Sequence, residues 1–583
     1  MKRLVHLKEF LIRYKWRYIV GILFLLFVDS VQLVVPRLLG RLTDILQSGA
    51  LTERALLGFV LAVIGLALAT AVGRFLWRIY IMGTARLLDF HLRNLLFAHL
   101  QRLSARYFND HKTGDLMAHA TNDIPAVRQA LGQGLILLTD AVFMTVATLA
   151  ILLKTAPIRL AITSLLPFPF LAVGTWAFSK LINTRFRAVQ EAFSDLTDKA
   201  QENIAGIRVV KAFVQESPEV NKFMRSAQRN VDQNMRLVRV WGFMSPMSGL
   251  AATLAFAAVL KYGTTMIVLN EITLGDFVSF TSYLAMLVWP MIAMGWVINV
   301  LQRGYASLDR INAIIDETPD VADELGSVNL TDVAGDIEFR NLTFSYSEGA
   351  PPVLSNVSFS VPAGKTLAVV GRTGSGKSTI VSLLERLYNP PKGTVFVDGQ
   401  DIREVTLASL RRHIGCVPQD TFLFSATVAQ NISFSADDCP RERIEHFAKL
   451  AQVHKDIIDF PNGFETTVGE RGVTLSGGQK QRICIARALI KEPRILILDD
   501  CLSAVDTQTE ESILRGLKEY RAGRTSIIVS HRISTIKDAD EIIVLDDGVI
   551  VERGTHESLV TQGGLYQELH QKQLLEEEIE TRN

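Results

Sequence analysis

The chain has 583 residues, too many for one ordinary domain, and its 61 Lys and Arg nearly cancel its 60 Asp and Glu to leave a net charge of +1. That balance excludes bulk electrostatic attraction to nucleic acid, whereas a mean hydropathy of +0.23 is unusual for a soluble enzyme and points toward lipid. The four cysteines (Cys416, Cys439, Cys484, Cys501) form no C-x-x-C pair, which fits cytosolic free thiols better than a disulfide framework or a zinc site.

In chain order, a basic start (Lys2, Arg3, Lys8, Arg13, Lys15, Arg17) leads into a long apolar run. No small-residue cleavage site follows and the run continues to Val35, so it reads as a membrane span and not as a cleaved signal. Six stretches have the length needed to cross roughly 30 Å of hydrocarbon as helices: 17–40, 56–82, 131–153, 158–181, 241–269 and 276–303. The connections after the second and fourth are long, rich in Lys and Arg, and keep helical periodicity (Leu87, Leu88, Leu92, Leu95, Leu96). That bias predicts both termini and both long loops on the cytoplasmic side of the cell membrane, with helices extending into the cytoplasm.

Within the spans Asp29 and Asp140 are expensive in lipid; each is read as one side of a helix–helix hydrogen bond, as a position nearer the membrane interface, or as an attractor for a cationic substrate. Trp241, Phe243, Met244, Met247, Met286, Trp289, Met291, Met294 and Trp296 suit an adaptable apolar pocket, and equally interfacial belts or helix packing. Pro290 marks a kink in the sixth span. Residues 1–310 therefore form a membrane domain. A polar, acidic linker follows over 311–335, and alternating strands and helices predict an α/β domain over 336–583.

Two motifs in that last domain carry chemistry. Gly371-Arg372-Thr373-Gly374-Ser375-Gly376-Lys377-Ser378 fits G-x-x-x-x-G-K-[ST] in full behind the apolar run 366–370. Its glycines allow backbone N–H groups to converge on phosphates, Lys377 reaches the β- and γ-phosphates, and Ser378, followed by Thr379, opens the helix. The strand 495–498 ends on Asp499 and Asp500, which places a carboxylate where nucleotide-bound Mg²⁺ sits. Between them, Leu475-Ser476-Gly477-Gly478-Gln479 is a Gly-rich turn running into a helix.

With that turn lying between a Walker A loop and a Walker B strand, the domain resembles the nucleotide-binding domain of an ATP-binding cassette (ABC) protein. The whole chain resembles an ABC exporter half-transporter. The resemblance implies that Tyr346 stacks on adenine and that Gln419 senses Mg²⁺ alongside Ser378 and Asp499. It also implies that His531 is the switch histidine near the γ-phosphate. Thr467–Gly472 then matches an exporter motif that touches coupling helices, Ser503–Asp506 a D-loop, and Asn203–Glu216 a coupling segment. Ser476, Gly477, Gly478 and Gln479 would complete the ATP site of a second half-transporter.

One position departs from the family pattern, which has Glu where this chain has Asp500. The shorter side chain withdraws the carboxylate by roughly 1 Å, and errors of that size can cost about a hundredfold in rate. Asp500 here resembles the degenerate-site subunit of bacterial heterodimeric multidrug exporters. The expectation is therefore ATP-driven export of hydrophobic or amphipathic drug-like compounds as half of a heterodimer. The alternatives are a homodimeric lipid or peptide exporter, an ATP-gated channel or regulator, and a soluble ABC ATPase.

Overall fold

The computed structural model describes residues 5–155, 157–347, 349–436, 438–469, 475–502, 505 and 507–582. The chain divides into two compact units, Met1–Gln101 with Lys112–Glu317, and Arg102–His111 with Thr318–Asn583.

The first unit is helical. Among the described residues, Val5–Gln47, Glu53–Leu100, Thr113–Thr155 and Leu274–Ile315 are long and apolar enough to cross a membrane. The expected spans 158–181 and 241–269 run along the helices Ile158–Leu165, Pro167–Ala205 and Glu216–Val268. Side chains at 168–180, and at several positions from 244 to 252 including Met244 and Met247, lie outside the described residues. Small residues let these helices approach. A Cβ on Gly40 would fall 2.4 Å from the Gly275 carbonyl oxygen, and one on Gly275 would fall 2.1 Å from that of Gly40. Asp44 fixes the same crossing, accepting from the Gly275 N–H at 2.7 Å and the Thr273 hydroxyl at 3.0 Å.

Asp29 is buried, its carboxyl lies close to that of Asp140 and to the Arg74 charge, and its Oδ2 has no hydrogen-bond partner. The sixth span, Leu274–Ile315, breaks as Pro290 requires: the first helix ends at Met286, four residues before the proline, and the next opens at Val288.

Three π-helical turns, Arg78–Met82, His119–Asp123 and Ala130–Gly134, interrupt the long helices, and apolar spacing gives no sign of them. Asp123, at the end of the second, is 7% exposed. It accepts from Arg310 Nε at 3.0 Å and Ser307 Oγ at 2.8 Å, and pairs with His119 at 2.7 Å. Burial pushes the Asp123 carboxyl up, but Arg310, His119 and Ser307 together outweigh it and hold it down at about 2.

The second unit is built on a six-stranded sheet. Its order is Val549–Gly554, Glu541–Asp546, Thr366–Gly371, Thr525–Val529, Ile495–Asp499 and Ile414–Val417, all parallel except the first. Ile495–Asp499 and Thr525–Val529 are buried at every position, as strands covered on both faces must be. A smaller antiparallel sheet, with Ile337–Phe344 paired to Leu354–Val361 and to Val395–Val397, alternates buried and exposed side chains instead. All four cysteines are free of disulfides.

Candidate nucleotide site

Parallel strands deliver their carboxyl ends to one edge of the sheet, and there the site assembles. Thr366–Gly371 runs into the phosphate loop and Ile495–Asp499 ends at the two carboxylates. Thr525–Val529 leads to His531 and Ile414–Val417 leads to Gln419. Register sets them level, with Val529 opposite both Val369 and Asp499. A cavity of about 200 Å³ results, lined by Thr373, Gly374, Gly376, Lys377, Ser378, Thr379, Gln419, Asp499, Asp500 and His531. Residues far apart in sequence thus share one space.

The loop depends on its glycines. Gly371 (φ +156), Gly374 (+86) and Gly376 (+100) take positive φ, and a Cβ on Gly371 would lie 2.0 Å from the Leu545 carbonyl oxygen. Gly376 is the N-cap of the helix Lys377–Leu384, whose first N–H groups face the cavity end. Lys377 Nζ donates to the carbonyls of Gly371 at 2.9 Å and Arg372 at 2.8 Å. Burial pushes its ammonium pKa down, while the Asp499 and Asp500 charges oppose that shift. The Ser375 hydroxyl is buried without a hydrogen-bond partner inside the loop, an arrangement suited to an incoming phosphate oxygen.

Burial raises the Asp499 carboxyl, and a hydrogen bond from Ser378 opposes this. The Ser378 hydroxyl, the Asp499 carboxylate and the Gln419 side-chain oxygen are hard oxygen donors around one cavity, a set that fits Mg²⁺. Asp500 has φ +45, and its N–H donates to the Val529 carbonyl at 2.8 Å. Asp tolerates that left-handed conformation better than most residues.

Tyr346 is 37% exposed, and its hydroxyl pairs with Thr379 Oγ1 at 2.9 Å, which places the ring beside the loop. The Ser476–Gln479 turn is elsewhere. Ser476 caps the helix Gly477–Leu489 through a reciprocal capping box with Gln479, and none of the four residues lines the Walker cavity. Thr467–Val468 pairs with Ala426–Thr427. Glu470, Arg471 and Gly472 of the exporter motif, and Ser503, Ala504 and Asp506 of the D-loop, lie outside the described residues.

Asn203–Glu216 forms a tip around the short helix Ile207–Ala212, with Ile204, Phe213 and Val214 strongly exposed. Motif reading passed over three features. Arg102–His111 belongs to the α/β unit, and Asn109 donates to the Tyr388 hydroxyl at 2.6 Å. Buried Glu510 holds Arg532 and Thr535 beside His531. Gln573 brackets that loop, donating to the His531 carbonyl and accepting from the Ile533 N–H at 2.8 Å. The neighbourhoods of Asn109, Tyr388, Glu510 and Gln573 carry no motif, so no signal pointed to these contacts.

Comparison with known proteins matches residues 18–291 to the family described as the ABC transporter transmembrane region, and residues 354–503 to the ABC transporter family. The Probable multidrug resistance ABC transporter ATP-binding/permease protein YheI of Bacillus subtilis is 39% identical over 96% of each chain. The ATP-dependent lipid A-core flippase of Syntrophus aciditrophicus is 36% identical over 84% of this chain and 81% of its own. Among solved structures, a bacterial Atm1-family ABC exporter with ATP bound superposes with a TM-score of 0.80 at 30% identity, covering 96% of this chain and 98% of that one.

Proposed function

This chain belongs to the ABC transporter family, with a helical transmembrane domain followed by an α/β ATPase domain, and from that premise we propose that it is the degenerate-site half of a heterodimeric exporter of hydrophobic or amphipathic, drug-like compounds. The observation that carries this reading is Asp500, one methylene shorter than the glutamate that polarises water in this family. Lys377, Ser378 and Asp499 remain in place around the cavity, so this site holds nucleotide and turns it over poorly.

In this reading Gly371, Thr373–Thr379 and Lys377 cradle the phosphates, Tyr346 gives its face to adenine, and His531 donates to the γ-phosphate. Ser378, Gln419 and Asp499 would hold Mg²⁺, which when bound neutralises charge between the β- and γ-phosphates. Ser476–Gln479 lie outside their own chain's cavity and serve the partner's competent site instead. The exposed apolar tip around Ile207–Ala212 docks on an ATPase domain of the dimer. Basic loops after the second and fourth spans place both termini and the ATPase domain in the cytoplasm. ATP binds the clamped pair more tightly than the open one, and that difference turns the bundle outward.

A second reading, a homodimeric lipid exporter, is favoured by the 36% identity to a lipid A-core flippase. ATPase activity of this chain alone, and after co-expression with a half-transporter carrying Asp-Glu at its Walker B strand, separates the two. The proposal expects little activity alone, robust activity in the pair, and a gain of about tenfold or more for the isolated chain on Asp500→Glu. Full activity from the isolated chain, unchanged by Asp500→Glu, overturns the degenerate site in favour of the homodimer.

A further inference from the structure

We propose that Tyr388 is a positioning residue that ties the adenine platform at Tyr346 to the Arg102–His111 segment, so that ATP affinity and the seating of that segment rise and fall together. The inference rests on the reading of Tyr346 as the adenine contact. In sequence the segment is flanked by helices of the membrane unit, yet it belongs to the α/β unit. Its short helix Ala105–Asp110 presents Asn109, whose amide donates to the Tyr388 hydroxyl at 2.6 Å. The Tyr388 ring meets Tyr346 edge-on, with centroids 4.9 Å apart and planes at 79°, and Phe344 stands edge-on to both. Ser104, Arg106, Tyr346 and Tyr388 line one cavity of about 230 Å³.

A ring can serve as a stacking face only while its plane is held. Three contacts hold that of Tyr346: its hydroxyl on Thr379 Oγ1, and Phe344 and Tyr388 edge-on to its ring. Thr379 opens the phosphate-loop helix, so a phosphate oxygen drawn to its hydroxyl competes with the Tyr346 bond. Phe344 and Tyr388 then remain as edge contacts, and of the two it is Tyr388 that Asn109 ties to the segment. Linkage makes the dependence reciprocal: seating the segment strengthens ATP binding by the same factor by which ATP strengthens the seating.

The test uses the full-length protein in lipid nanodiscs, titrated with ATP in EDTA and separately with inorganic tripolyphosphate, which has phosphates and no base. Tyr388→Phe and Asn109→Ala are each expected to weaken ATP binding about threefold to tenfold, the value of one hydrogen bond, with tripolyphosphate affinity unchanged. The double variant is expected to be no weaker than either single one. ATP is also expected to slow amide exchange across Arg102–His111 in the wild type and not in Tyr388→Phe. Unchanged ATP affinity, equal losses for both ligands, or additive losses in the double variant would each overturn the link. Failure of the exporter reading shows differently, as wild-type protein that binds ATP and moves no compound, and leaves these titrations intact.

Discussion

In the α/β unit the strand Ile495–Asp499 is buried along its whole length, whereas the most apolar window of Glu53–Leu100 in the helical unit is not buried at all. Both stretches are hydrophobic. Water surrounds the first domain, so its apolar side chains stack inward and its polar groups sit where strand ends open. The helices face hydrocarbon, so Leu61, Leu68, Val72 and Phe75 point outward while small residues such as Gly40 and Gly275 take the contacts between helices. An exposed leucine therefore has opposite meanings in the two halves of one chain.

Substitutions can sharpen that contrast, or break it. Ile497→Ala, in a strand with no exposed surface, is expected to cost about 2–5 kcal/mol and to lower the thermal transition of the α/β unit clearly. Leu68→Asp replaces a side chain that is 62% exposed, and in lipid it is expected to cost about 2.5–3.5 kcal/mol, read as lost membrane insertion. Ile458→Asp, at 59% exposure in the α/β unit, is expected to change stability by less than about 0.5 kcal/mol. Equal penalties at positions 68 and 458 would break the comparison.

Between these limits lies Asp123→Asn, which removes a charged hydrogen bond to the half-exposed Arg310 and is expected to cost about 1.5 kcal/mol. The sign with pH follows from the depressed carboxyl. Asp123 contributes its full stabilisation above its ordinary 3.8 and loses it as pH falls toward about 2, so the wild-type advantage over Asp123→Asn is expected to vanish across that window. Melting curves of the two proteins in detergent from pH 5 to about pH 2 check this.

Much of the site was legible because its chemistry needs particular residues at short spacings. A phosphate cradle needs Gly371, Gly374, Gly376 and Lys377 at short spacing, and a reciprocally capped helix needs Ser476 three residues before Gln479. Membrane spans were legible because their length and apolarity are set by lipid. Two kinds of feature were not. The π-helical turns leave no mark on apolar spacing, and contacts such as Asn109 to Tyr388 and Gln573 to the His531 loop join residues with no motif around them. Pro290 was legible as a kink because a proline removes the bond to the carbonyl four residues before it, and the span breaks at Leu287 accordingly.

The sequence by itself determined that this chain has a lipid-facing half and a triphosphate-handling half, since solvent and phosphate act on residues one by one. Only the tertiary structure decided which side chains meet. Parallel strands bring Thr373–Thr379, Gln419, Asp499, Asp500 and His531 to one cavity, leave Ser476–Gln479 outside it, and draw Arg102–His111 into the ATPase unit. The physical reason is that hydrogen-bond register and packing are set between segments distant in sequence, where no local spacing can record them.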